Sequence, residues 1–202
     1  INRIPVRGSS LINLDTPIWF FKEKWDENGN WVNKETMLIR MEKYIQEVFK
    51  LIEQDYPKID FYAWDVVVEA LLNDGNPKSG DPKDDGDEFS PYVKIFGDNS
   101  FIKNAFQYAK KYAKKGCKLY YSDYNEYKPN KTNAIIKMVN EINKGEQLID
   151  GIGLESHLDI LYPTITEYEK AIKAFYDTGL DIQITGLDMT IQNNSENNLK
   201  IQ

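Results

Sequence analysis

The stretch FYAWDVVVEA (Phe61–Ala70) decides how the rest of the chain is read. Phe61–Val68 is an apolar, β-rich run, read as a strand. It ends on an acid, Glu69, set between Val68 and Ala70. A carboxyl with apolar neighbours on both sides does not suit a solvated helix cap. Glu69 is therefore the strongest single candidate for a working acid or base. Working outward, four more β-like runs appear: Val6–Ile12, Cys117–Tyr124, Ile149–Ser156 and Ile182–Leu187.

Helical patterns separate these runs. Met37, Met41, Tyr44, Ile45, Val48, Phe49 and Ile52 recur at three- to four-residue spacing, as on one face of a helix. Phe101, Ile102, Ala105, Phe106, Ala109 and Tyr112 repeat the pattern, with Gly116 as its stop. Thr132 to Ile142 makes a third helix. A fourth opens on a capping box at Thr166–Glu169 and ends near Gly179. Strand followed by helix, four times over, implies parallel strands joined by right-handed crossovers. A doubly wound sheet and a (β/α)8 barrel both satisfy that pattern. Asn73–Asp98 reads as one long loop carrying the acid run GDPKDDGDE. Its spacing fits no EF-hand, so a solvated loop is expected there rather than a calcium site.

Composition narrows the function classes. With 202 residues, 41% hydrophobic and 28% charged, the chain is sized and balanced for one globular domain. A net charge of -7 argues against non-specific binding to nucleic acid or to an anionic membrane. No apolar run approaches the roughly 20 residues of a membrane span, and INRIPVRG at the start does not read as a signal peptide. The single cysteine, Cys117, excludes an internal disulfide and is read as an inert strand residue. One histidine, His157, leaves no multi-histidine metal site, and neither a metal nor a cofactor is expected.

In parallel α/β folds, chemistry sits at the C-terminal ends of strands. Those ends carry Ser9, Ser10, Asn13 and Asp15; Asp65 and Glu69, after Trp64; Ser122, Asp123 and Asn125; Glu155, Ser156 and His157; and Thr185, Gly186 and Asp188. Their convergence implies a polar pocket. The plainer alternative, that each acid caps the next helix, suits Asp15, Asp123 and Asp188.

The motifs at these ends resemble those of family 10 glycoside hydrolases, the endo-β-1,4-xylanases. WDVVVEA (Trp64–Ala70) is similar to the family's WDVVNEA, and VRGSSLI…TPIWFF (Val6–Phe21) to VRGHTLVWHSQTPxWFF. KLYYSDYNEY (Lys118–Tyr127) resembles LYYNDYNEY, IDGIGLESHL (Ile149–Leu158) resembles IDGIGLQSHL, and IQITGLD (Ile182–Asp188) resembles IQITELD. The resemblance implies a (β/α)8 barrel of which this chain holds about five units, similar to the family's strands three to seven. It also implies an extracellular, secreted enzyme acting on xylan or xylo-oligosaccharides with retention of configuration, through two carboxylates. Glu69 falls on the acid/base position. The nucleophile position falls on Gly186.

Other departures cluster at the same strand ends. Ser9 stands where the family has His, Asn13 where it has Trp, and Leu14 near a second His in a stretch one residue shorter. Val68 and Ser122 replace Asn, and Glu155 replaces Gln, whereas Trp64, Asp65, Tyr124, Asn125 and His157 match. The substrate-contacting set implied by resemblance is Ser9, Asn13, Trp64, Val68, Ser122 and His157. Three readings follow. One is a xylanase-like scaffold inactivated for hydrolysis. Another is a pocket redesigned for proton abstraction of the Kemp-elimination type on a small aromatic ligand, with Glu69, Asp65 or Glu155 as base. The third is a non-catalytic carbohydrate-binding module or fragment. Open sheet edges are expected at both ends, to be covered by a second copy or another chain.

Overall fold

The five expected strands pair side by side in the order in which the chain makes them. In the computed structural model, which describes residues 4–84, 86–191, 195, 196 and 200, they run β1 (Val6–Gly8), β2 (Phe61–Val68), β3 (Lys118–Asp123), β4 (Gly151–Leu154) and β6 (Asp181–Ile184). All pairings are parallel, and the sheet order is β1-β2-β3-β4-β6. A doubly wound sheet reverses its strand order at a switch point. No reversal occurs here, so the sheet is a segment of a (β/α)8 barrel.

Helices α1 (Lys34–Asp55), α3 (Ser100–Tyr112), α4 (Pro129–Ile142) and α5 (Ile165–Tyr176) fill the crossovers. Helix α1 buries Met37, Met41 and Ile45 completely, and Asn33 caps it by accepting from the Thr36 amide. Along β2 and β3, Trp64, Val66, Leu119 and Tyr121 join these helix faces in one apolar core. The alternate positions form a polar lining on the other side of the sheet. There Arg7 pairs with Asp65, Ser122 Oγ donates to Asp65 Oδ1 at 2.5 Å, and Gln183 Nε2 donates to Tyr120 at 3.0 Å.

Several boundaries differ from expectation. The ladder of β1 stops at Gly8, and the run beyond it rejoins β2 through the Leu11 amide, which donates to the Asp65 carbonyl at 3.1 Å, and an Ile12–Val67 bridge. The capping box of α5 is Thr164 with Glu167, two residues earlier than expected. The long loop between β2 and α3 is not all loop: α2 (Pro91–Phe96) lies inside it, capped by Ser90 and closed by Gly97. The acid run of that loop falls partly outside the described residues, at Asp85 and the side chain of Asp87. Among the described residues no cluster of potential metal ligands occurs, and no helix is long and apolar enough to cross a membrane. Residues 1–3 of the INRIPVRG segment also lie outside the described set.

A second sheet was not expected. β5 (His157–Asp159) and β7 (Asp188–Thr190) form a short parallel ribbon beyond the ends of β4 and β6, pairing His157 with Asp188. The breaks that separate the ribbon from the main sheet hold Glu155 and Ser156 on one side and Thr185, Gly186 and Leu187 on the other.

Candidate active site

The strand ends enclose a cleft of about 320 Å³ lined by Ser9, Ser10, Asn13, Leu14, Asp15, Asp65, Val68, Glu69, Ser122, Glu155, His157, Thr185 and Gly186. The expected convergence of five strand ends is therefore a single site. Trp64 is the exception among the expected contacts. Strand alternation turns Asp65 into the cleft and Trp64 to the opposite face, where its ring packs 5.2 Å from Phe49 and 5.5 Å from Phe61.

Three residues around the cleft hold left-handed backbone without being glycine: Glu69 (φ 54°), Asn125 (φ 51°) and Ser156 (φ 57°). Such conformations cost on the order of 1 kcal/mol each and concentrate where side chains must be aimed. At Glu69 the chain leaves β2 while its amide still donates to the Ser122 carbonyl at 3.0 Å. The Asn125 side chain bridges to Asn73 at 2.9 Å and receives the Tyr127 hydroxyl at 2.8 Å.

The acids of the site are not equivalent. Asp65 is spoken for: Arg7 Nε reaches its Oδ2 at 3.0 Å, Arg7 also engages Oδ1, and Ser122 donates to the same oxygen. Asp123 does not cap a helix. It is fully buried 2.7 Å from the equally buried Lys131 ammonium, and accepts from Tyr121 at 2.5 Å and from the Tyr124 amide at 2.9 Å. Burial nevertheless holds its pKa above the usual carboxylate range. Asp188 is likewise no cap, because it holds His157 Nδ1. Asp15 stands exposed on the cleft wall.

Glu155 is the unusual one. It is only 9% exposed, its Oε2 lies 3.5 Å from His157 Nε2, and its amide donates to the Asp123 carbonyl at 3.2 Å. Desolvation first, then the charge of Glu69, push its pKa up to about 8. Gly186 faces it across the break: a Cβ built on Gly186 would sit 3.3 Å from the Glu155 carbonyl oxygen and 3.5 Å from His157 Cε1. A side chain at position 186 would thus enter the cleft between Glu155 and His157. Cys117 plays no part here. It is half-buried, and burial raises its thiol to about 11, which leaves it inert.

Arg7 and Lys131 were not anticipated from the sequence. Arg7 could have been found from alternation, as the cation beside Gly8 on a strand whose neighbour presents Asp65. Lys131 lies on a helix, at a position that only the packing of α4 on the end of β3 turns inward.

The sequence matches the family model for glycosyl hydrolase family 10 over residues 2–202. It is 45% identical over 196 residues to the bifunctional endo-1,4-beta-xylanase XylA of Ruminococcus flavefaciens, covering 96% of this chain and 20% of that protein. It is 43% identical to endo-1,4-beta-xylanase Y of Acetivibrio thermocellus, covering 95% of this chain and 18% of that one. Among solved structures, the CBM22-1–GH10 modules of a Clostridium thermocellum endo-1,4-beta-D-xylanase complexed with xylohexaose superpose with a TM-score of 0.85 at 40% identity, covering 94% of this chain and 38% of that one. An intracellular xylanase of Thermoanaerobacterium saccharolyticum, solved with xylotetraose as a mutant, gives a TM-score of 0.85 at 28% identity over 98% of this chain and 58% of that one. The chain thus spans about a fifth of the length of those two curated relatives.

Proposed function

The chain belongs to glycosyl hydrolase family 10, and we propose that its cleft receives a xylan or xylo-oligosaccharide chain but cannot hydrolyse it by the retaining route. Glu69 stands in the acid/base position and Gly186 in that of the nucleophile. The observation that carries the reading is the pairing of Glu69 with a glycine in one polar cleft. Retention needs a covalent glycosyl-enzyme, and glycine has no atom with which to form it. Ser9, Asn13, Val68, Ser122 and His157 are the proposed sugar contacts. An extracellular place of action goes with this reading where the substrate is polymeric xylan.

Proton abstraction by Glu155 from a flat aromatic ligand is the second reading, and the buried, proton-holding carboxyl favours it. The lining weighs the other way, because among the described residues Leu14 and Val68 are the cleft's only large apolar side chains. Reducing-sugar release from xylan, xylotetraose calorimetry and benzisoxazole turnover separate the cases. We expect xylotetraose to bind, sugar release to be weak or absent, and Gly186→Glu to raise it by at least on the order of 10²-fold. Xylan hydrolysis with retention by the unaltered chain, at the rate of the Gly186→Glu variant, would contradict the proposal. Benzisoxazole turnover without xylotetraose binding would favour the second reading.

A further inference from the structure

We infer that Glu155 is the second working carboxyl of this cleft: it holds a water beside Gly186 and takes that water's proton as the water attacks the anomeric carbon. The inference rests on the reading that the cleft receives a xylo-oligosaccharide. In the step, a bond forms between the water oxygen and the anomeric carbon while the bond to the leaving oxygen breaks. The bonding pair departs with the leaving group, which takes a proton from Glu69 or leaves as a stable anion. The water's proton goes to the Glu155 carboxylate. A single displacement of this kind inverts the anomeric centre, so a β-xyloside yields an α product.

Four observations converge on Glu155. It borders the space that a side chain at position 186 would enter, with its carbonyl oxygen 3.3 Å and its Cα 3.8 Å from a Cβ built there. Its residue type is suited to the task, because a carboxylate accepts a proton and an amide at the same position does not. It has a polar side chain beside it: His157 Nε2 stands 3.5 Å from Oε2, and the same ring is held from behind by Asp188. It also carries fewer competing contacts than three neighbouring acids. Asp65 is tied to Arg7 and Ser122, Asp188 holds His157, and Asp123 is paired with Lys131.

The groups facing Glu155 set when it can act as a base. Glu69 from the end of β2, Asp123 and Glu126 from the end of β3 and the turn after it, and burial all favour its protonated form, while Lys131 from α4 opposes them. His157 lies against it from β5. The ionised base therefore accumulates as pH rises through about 8.

The test uses the 202-residue chain with 4-nitrophenyl β-xylobioside, whose leaving group needs no acid. Proton NMR of the first-formed xylobiose should show the α anomer, with a rate that climbs through about pH 8. Glu155→Gln should cut that rate by on the order of 10²-fold or more while leaving xylotetraose affinity in place. Gly186→Glu should switch the product to the β anomer. The inference is overturned by β product from the unaltered chain, by no release above buffer, or by an undiminished rate in Glu155→Gln. If release is absent while xylotetraose still binds and Gly186→Glu is active, the inference falls and the underlying reading stands. If xylotetraose does not bind and Gly186→Glu is inert, both fall.

Discussion

Glu155 shows how one buried carboxyl couples chemistry to stability. Its pKa of about 8 lies above the ordinary carboxylate value, so the folded chain binds this proton more tightly than the unfolded chain does. The resulting stabilisation is fully present below the unfolded pKa, near 4.5, and is lost as pH rises through the folded value. We expect Tm to fall between about pH 5 and pH 8.5, and Glu155→Gln to flatten that fall. Asp123 and Glu126, both raised first by burial, add to the fall in the same direction. Thermal unfolding across this range checks it; a curve for Glu155→Gln with the parent's slope would count against a proton-holding Glu155. The pH that frees the base is thus the pH at which the cost of burying Glu155 reaches its full size.

At the scale of the element, β4 shows why this part of the barrel tolerates so little change. Its residue Gly153 lies opposite Ser122, and a Cβ added there would come within 1.9 Å of Ser122 Oγ and 2.9 Å of Thr185 Cγ2. Ser122 would have to swing away from Asp65, undoing the link that orders the polar lining from Arg7 to β3. We expect Gly153→Ala to destabilise the chain by roughly 1–3 kcal/mol. At this chain length that is about 2–4 °C of Tm per kcal/mol, readable by calorimetry. A loss below about 0.5 kcal/mol would mean that β4 yields more easily than its packing indicates. The helices were more legible than the strand ends. The signals for α2 were all present, with Ser90 as cap, Pro91 at the first position and Gly97 as the stop, but the acid run ahead of them masked a six-residue helix. At α5 the box S/T-x-x-E occurs twice in register, and only the hydrogen bonds choose Thr164 over Thr166.

For the whole molecule, exposure is not spread evenly. Trp25, Ile39, Tyr44 and Leu51 are exposed on the flank beside β1 and α1, and Ile165, Tyr176, Ile184 and Leu187 on the flank beside β6 and α5. Those are also the flanks where β1 and β6 each have one unpaired edge in the five-stranded sheet. Unpaired parallel edges beside exposed apolar side chains favour association. In light scattering, we expect the 202-residue chain to exceed its 23.5 kDa monomer mass, increasingly so with concentration. Lysine substitutions at Ile184 and Leu187 should lower the associated fraction; a monomer at all concentrations would refute this. A second copy or the remaining units of a barrel are the proposed covers for these edges.

By itself the sequence determined the strand–helix alternation, the parallel sheet and the identity of the residues that meet at the strand ends. These follow from local patterns, since apolar periodicity and turn residues act over a few positions along the chain. The tertiary structure decided the rest. It separated a barrel segment from a doubly wound sheet through strand order, turned Trp64 away from the cleft, and engaged Asp65 and Asp123 with Arg7 and Lys131. It also set Glu155 against the open side of Gly186 by way of a ribbon that no local pattern announces. Those outcomes depend on which side chains share a face and how deeply each is desolvated, and both are properties of packing between distant segments.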